Sequence, residues 1–333
     1  HCPSGQPLPL CPCYHSAERC ALLPRRLLLA ARGCKVVVND LGNAFDGTGA
    51  PAGMVADEVV AEIEAAGGTA VADHNSVLDG EAIVATALEA FGRLDVVVNN
   101  AGILTPENWN DLTLESWQRT IDINLTGVFS VCKAAWPVLV KQEYGRVVVT
   151  CSPAMYGSGV EAYAASKTGL IGLATSLQFE ALKLKMNIKV NIVIPQADTR
   201  MTQDFAKAVE ENRVKQGKPP REARAPDPSV AERMAPDRVS AMVAWLCHRD
   251  CQAGATVHEA GAGYFAQLRW QRSAPLFATE AEGVEGAPLP ESIRDGLATL
   301  EDFDSGDFPK SGDGSMGAPS ALDFVFRHLR ATL

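Results

Sequence analysis

The sequence predicts a doubly wound α/β fold, a parallel sheet held between two helical layers. Two observations lead there. Short apolar runs such as KVVVN (residues 35–39) and LDVVVN (94–99) are continuous rather than alternating, the pattern of strands covered on both faces. Between such runs lie longer stretches with apolar residues three and four apart, so strand and helix alternate along the chain.

The elements follow in order. Pro3, Pro7, Pro9 and Pro12 argue against regular structure at the start, so residues 1–26 read as irregular. A helix is expected from about Leu22 or Pro24 to Arg32, stopped by Gly33. The strand 35–39 ends in Asp40, and a loop carrying Gly42, Gly47, Gly49 and Gly53 follows. Val55, Val59, Val60 and Ile63 share one helix face, closed by Gly67 and Gly68. TAVAD (69–73) reads as a strand, and Ile83, Val84, Ala87, Leu88 and Phe91 as a helix. Further strands are expected at 94–99, 145–150 and 187–194. The main body spans 27–272, with an extension over 273–333. Residues 279–320 are rich in Gly, Pro, Ser and acidic residues. Leu322, Val325, Phe326 and Leu329 then form a helical stripe that docks on its own chain or on a second copy.

Composition narrows the function. The 333 residues carry 30 basic and 40 acidic side chains, a net charge of −10, which argues against a nucleic-acid partner. Backbone amides can still bind a phosphate in an acidic protein. No run approaches the roughly 20 apolar residues of a membrane span. Leu27–Ala31 follows two arginines but is too short for a secretory leader, and Arg32 interrupts it. The nine cysteines cannot all pair. Cys2, Cys11, Cys13 and Cys20, with His1 and His15, match no zinc spacing, so no metal is expected. Cys34, Cys132, Cys151, Cys247 and Cys251 read as reduced thiols of an intracellular protein.

Chemistry concentrates in the middle of the chain. Tyr163 and Lys167 lie four apart in a helical segment and so share a face. A phenol titrates near 10, and a neighbouring ammonium favours its ionised form, which makes the pair a tuned general acid/base. Ser152 follows the 145–150 strand at its C-terminal end, the edge where parallel sheets bind ligands, and its hydroxyl is placed to hold a carbonyl oxygen. Asn124 either holds a water that feeds Lys167 or bonds neighbouring backbone.

NNAG (99–102), DINLTG (122–127), Ser152 and YAASK (163–167) in this order resemble the short-chain dehydrogenase/reductase family. VVVNDLG (36–42), FGRLDVVVNNAGIL (91–104), MVAWLCH (242–248), GAGYFAQLRWQR (261–272) and PLPESIRDGLATLEDFD (288–304) narrow the resemblance to its D-3-hydroxyacyl-CoA dehydrogenase branch, over about residues 27–330. The resemblance implies a Rossmann-like fold, a homodimer, and conversion of 3-hydroxyacyl-CoA to 3-ketoacyl-CoA. A steroid or a carrier-bound 3-oxoacyl group is the alternative substrate. It also implies Tyr163 as acid/base, Lys167 as its modulator and ribose ligand, Ser152 on the carbonyl, and Asn124 completing the set. Asp40 would take the adenosine ribose, favouring NAD over NADP. Asn75, Ser76 and Val77 would flank adenine. Asn99, Ala101 and Gly102 would line the cofactor, and Thr199 would meet the nicotinamide amide. The expected compartment is peroxisomal or cytoplasmic, the final ATL not being the SKL-type address.

The sequence departs from the family in two places. The family opens with a strand and a TGxxxGxG turn, whereas residues 1–24 hold one glycine and no apolar strand. The sheet is therefore expected to lack its first strand, and a start with His rather than Met reads as an incomplete or altered beginning. A non-catalytic remnant is the competing reading. Ser152 also stands two residues closer to Tyr163 than is usual. Thr150 occupies the usual spacing, but the VVVTCS context favours Ser152. Substrate loops are expected at 104–111 and 202–234. The second carries Arg213, Lys215, Lys218, Arg221 and Arg224, either a solvated lid or cations for coenzyme A phosphates.

Overall fold

The computed structural model describes residues 11–15, for which the backbone alone is described, and 28–48, 55–157, 159–220, 228–273, 276, 293 and 295–304. Eight strands are present among them: β1 Cys11–His15, β2 Lys35–Asp40, β3 Thr69–Asp73, β4 Val96–Asn99, β5 Tyr144–Thr150, β6 Asn187–Gln196, β7 Val257–Gly261 and β8 Tyr264–Leu268. They form one sheet in the order β3-β2-β1-β4-β5-β6-β7-β8. Every recorded pairing from β3 to β7 is parallel. β8 turns back from β7 through Ala262 and Gly263, both at positive φ (48° and 86°), the backbone of a two-residue hairpin.

The continuous apolar strands are buried on both faces. Val36, Val38, Val96, Val98, Val148 and Val193 point to one side, against Val59 and Ile63 of α1 (Val55–Ala65) and Val239, Val243 and Leu246 of α8 (Asp237–Cys247). Val37, Val97, Val147 and Val149, one residue out of phase, are buried on the other. That second face lies under α2 (Gly80–Phe91), α4 (Gly127–Lys141) and α5 (Glu161–Lys183). Further helices are α3 (Leu114–Ile121), α6 (Arg200–Lys215) and α7 (Pro228–Arg233).

The expectation of a sheet without its first strand is corrected: within the segment read as irregular, residues 11–15 form a strand, and the rest of that segment lies outside the described residues. Cys11–His15 fills the central place, pairing with β2 from Cys11↔Val36 to His15↔Asp40 and with β4 at Cys13↔Val98 and Tyr14↔Asn99. Pro12 stands within this strand, in register with Val37 of β2. The slot between two parallel strands dictates extended backbone where local composition does not. Residues 28–31 are helical and Gly33 takes φ 90°, as expected of a helix stop. The rest of that helix, and the apolar stripe at 322–329, lie outside the described residues. The strands β7 and β8 were not expected from the sequence.

Leu114–Lys141 is a continuous helical run long and apolar enough to cross a membrane, contrary to expectation. Its α4 portion buries Val128, Val131, Cys132, Ala135 and Leu139, the signature of a core helix. The chain divides into two compact units, His1–Gln267 and Leu268–Leu333. In the second, a short helix spans Leu297–Leu300, and Gln271 Nε2 donates to the Phe303 carbonyl at 2.6 Å.

Candidate active site

The strand order reverses between β1 and β4, the switch point at which doubly wound sheets open a ligand crevice beyond the strand C-termini. The sequence candidates gather along this edge. Asp40 ends β2, Asn75 follows β3, Asn99 ends β4, Ser152 follows β5, and Thr199 follows β6.

Lys167 and Tyr163 share the inward face of α5 near its start. The ammonium is 2% exposed, lies 5.5 Å from the Tyr163 ring centroid, and donates to the Thr150 carbonyl at 3.0 Å. The helix therefore ties its cation to the end of β5. Asn124 sits in a π-helical turn, Asp122–Thr126, between α3 and α4. Such widened turns recur at functional sites because they push one residue out of helical phase. Asn124 is fully buried and its amide is engaged. Oδ1 accepts from the Ile103 N–H at 2.7 Å, while Nδ2 donates to the Ile103 carbonyl (2.9 Å) and to Ser166 Oγ (3.1 Å). Ser166 Oγ in turn donates to the Tyr163 carbonyl at 2.7 Å. Of the two readings of Asn124, the amide makes the backbone contacts. Ser166 was missed in the sequence, although it lies inside YAASK, one position before Lys167.

Ser152 caps the 3-10 turn Pro153–Tyr156, its Oγ accepting from the Ala154 N–H at 3.2 Å. Ser152 is half-buried, whereas Thr150 is 5% exposed and its hydroxyl is shut away from solvent. Ser152 thus presents its hydroxyl nearer the open edge.

On the other side of the crevice Asp40 is 1% exposed, and its Oδ1 accepts from the Gly42 N–H at 2.8 Å. Asp73, absent from the sequence candidates, organises the next loop. It accepts from the Asn75 N–H (3.1 Å), Asn75 Nδ2 (2.8 Å) and Thr86 Oγ1 (2.6 Å). The Asn75 carbonyl accepts from Asn39 Nδ2 at 2.7 Å, and the Ser76 carbonyl from the Asp79 N–H at 2.8 Å. Val77 is buried against Gly127, where a Cβ would come within 2.6 Å of it. Asn99 turns its amide inward to Cys132 Sγ at 3.3 Å, and Ala101 is buried behind it. Thr199 begins α6, its hydroxyl accepting from the Thr202 N–H at 3.3 Å in a capping box.

Gly102 tests whether a dinucleotide fits. A Cβ there would lie 3.2 Å from Lys167 Nζ and 3.3 Å from Asn124 Oδ1, so glycine keeps the space beside the ammonium open. Together with the buried Asp40 carboxylate, both ribose ends have suitable residues. The connection after β1, SAERCALLPRRL (16–27), carries no glycine and lies outside the described residues.

Burial pushes the Cys132 thiol from 9.0 up to about 12, with the Asn99 hydrogen bond pulling the other way. The folded value is raised, so its stabilising contribution is complete below pH 9.0 and is lost as pH rises through about 12. The urea midpoint is expected to fall across that window. Peptide mapping after iodoacetamide treatment at neutral pH should find Cys132 unmodified in the native chain and modified in urea.

The short chain dehydrogenase family model matches residues 27–210. The chain is 38% identical over 294 residues to peroxisomal multifunctional enzyme type 2 of Mus musculus, covering 87% of this chain and 36% of that enzyme. It is 40% identical over 282 residues to a short-chain type dehydrogenase/reductase of Mycobacterium tuberculosis, covering 83% of this chain and 88% of that protein. The solved full-length peroxisomal multifunctional enzyme type 2 of Drosophila melanogaster superimposes with a TM-score of 0.71 at 27% identity, over 97% of this chain and 50% of that one. The chain thus spans about a third of the mouse enzyme's length (36%) and half of the fly structure (50%). A family model covering more than half the residues, and a relative matched nearly end to end, show that this chain belongs to the short-chain dehydrogenase family of oxidoreductases.

Proposed function

We propose that the chain is an NAD-dependent dehydrogenase that oxidises the secondary alcohol of a 3-hydroxyacyl-CoA to the 3-ketoacyl-CoA. The observation that carries this reading is the buried Lys167 ammonium held 5.5 Å from the Tyr163 ring at the C-terminal sheet edge. When bound, the nicotinamide supplies the hydride acceptor. Tyr163 Oη takes the proton of the substrate hydroxyl as the carbonyl forms, and Lys167 makes that phenol a competent base by favouring its anion. Ser152 Oγ holds the reacting oxygen and offsets its developing charge. Asn124 fixes the Gly102–Ile103 backbone against α5, keeping Lys167 in register. Asp40 would bind the adenosine ribose hydroxyls and repel a 2′-phosphate, which is why NAD is preferred in this reading. Asn75, Ser76 and Val77 would line the adenine end, and Asn99, Ala101, Gly102 and Thr199 the nicotinamide end.

A second reading is favoured by one observation, the glycine-free sequence from residue 16 to residue 32. Without a turn that lets backbone amides reach the pyrophosphate, the fold would keep its acid/base pair and bind no dinucleotide. Two measurements separate the readings. Purified chain with NAD and a 3-hydroxyacyl-CoA should form reduced cofactor, with NADP giving less. Titrating NADH should quench or shift the tryptophan emission. Signal in the second and none in the first, with steroid alcohols or carrier-bound substrates active instead, would change the substrate. Silence in both would leave the second reading standing.

The same proposal includes a homodimer and a peroxisomal setting. Leu114, Phe129, Phe179 and Leu184, on or just beyond α3–α5, are 79%, 51%, 38% and 45% exposed, an apolar surface suited to a second copy. Sedimentation should give twice the 35.4 kDa chain mass, and microscopy of the tagged protein should show peroxisomal rather than cytoplasmic signal.

A further inference from the structure

Ser152 and Tyr156 stand at opposite ends of one 3-10 turn, Pro153–Tyr156. At the entrance the turn grows out of β5. At the exit, Gly157 and Gly159 take φ of 86° and 72°, so the chain leaves through residues with wide backbone freedom. What reaches from the turn to β7, two strands further along the sheet, is a phenol. Tyr156 Oη donates at 3.0 Å to Oε1 of Glu259, a residue 103 positions away in β7. The other carboxylate oxygen, Oε2, accepts from Tyr264 Oη of β8 at 3.3 Å.

The carboxylate is itself well placed. Glu259 pairs with Ile194 of β6 in the parallel ladder. Two residues on, a Cβ at Gly261 would come within 2.0 Å of the Gln196 carbonyl, so glycine permits the close approach of β7 to β6. The β7–β8 hairpin is thus packed tightly where it presents Glu259 and Tyr264. Loss of water around the Tyr156 hydroxyl, and then the Glu259 carboxylate, push the phenol up to about 12, so it remains a donor at neutral pH.

We propose that Glu259 is a positioning residue: its carboxylate anchors Tyr156 and thereby fixes the turn that presents Ser152 to the substrate oxygen. The inference rests on the dehydrogenase reading for its effect on rate, but the anchoring itself does not. An exposed tyrosine–carboxylate contact adds little to global stability. Its value lies in holding a short turn whose exit is two glycines. Glutamine at 259 keeps the shape but offers one acceptor oxygen for two phenols.

The test compares Glu259→Gln and Tyr156→Phe with the unaltered chain. Hydrogen–deuterium exchange of the peptide covering residues 150–157 should rise about tenfold in both, the effect of one lost charge-assisted hydrogen bond, while the unfolding midpoint stays near that of the parent. In turnover assays kcat should fall about tenfold in each, with the KM for cofactor unchanged. In a Ser152→Ala background Glu259→Gln should cost nothing further, because the anchor works through Ser152. Unchanged exchange at 150–157 overturns the anchor whatever the activity. A kcat loss that persists undiminished in the Ser152→Ala background overturns the route through Ser152. Absence of turnover in the unaltered chain overturns the dehydrogenase reading instead, and the exchange result still decides the anchor.

Discussion

Changing Lys167 to methionine is expected to lower kcat by about 10²–10⁴-fold, the usual contribution of positioned acid–base chemistry. The ammonium is almost wholly buried, donates at 3.0 Å to the Thr150 carbonyl, and lies over the Tyr163 ring. Methionine fills a similar volume without the charge. The fold should survive with a loss of about 1 kcal/mol for the missing hydrogen bond. Without its cation, the Tyr163 phenol loses the group that favours its anion, so the acidic limb of the oxidation rate profile, on which that phenol must ionise, should move to higher pH. Tyr163→Phe should cost a comparable amount, and the double variant little more, because the two side chains act as one unit. A Lys167→Met chain that keeps most of its turnover would remove the chemical core of the proposal.

The largest expected effect on stability comes from Arg146→Leu. Arg146 has no exposed surface and yet faces no carboxylate among the described residues. Its guanidinium is satisfied by carbonyls. Nε donates to His248 (3.2 Å), Nη1 to Gly145 (2.9 Å) and Asn187 (3.0 Å), and Nη2 to Arg249 (2.8 Å). The planar group also lies 4.6 Å from the Tyr144 ring centroid. This fork joins the starts of β5 and β6 to the end of α8, far along the chain. Burial lowers its pKa below the usual guanidinium range, and the nearby Tyr144 opposes that. Leucine would leave several buried acceptors without donors, at roughly 3 kcal/mol or more. The urea midpoint should drop accordingly. Arg146→Lys should recover only part of the loss, since one ammonium nitrogen cannot occupy the separate places of Nε, Nη1 and Nη2. A variant as stable as its parent would show that water satisfies those carbonyls instead.

What the sequence made legible follows from burial. β2, β4, β5 and β6 announce themselves because both faces are covered, leaving VVV and IVI runs with no polar interruption. β7 reads VHEAG, with His258 and Glu259 only half-buried, and β8 reads YFAQL with Tyr264 and Phe265 exposed. Neither carries a periodic signal. β1 reads CPCYH, and its extended form comes from the slot between β2 and β4, a tertiary cause invisible in five residues. The catalytic candidates were legible through short spacings, as with Tyr163 and Lys167 on one helix face. Asp73 and Ser166 were missed because each acts on a neighbour, one holding Asn75 and the other linking Asn124 to Tyr163. Glu259 was beyond reach, since nothing local marks a partner for Tyr156 so distant in the chain.

Among the described residues, β1 meets β4 at two residue pairs, against seven between β5 and β6. That seam lies at the middle of the sheet, with Asp40 and Asp73 on one flank and Tyr163 and Lys167 on the other. A molecule lying across that seam would act as a staple. Its arrival would stiffen the backbone of Val98 and Asn99 more than that of any strand further out, and the melting temperature would become a gauge of occupancy.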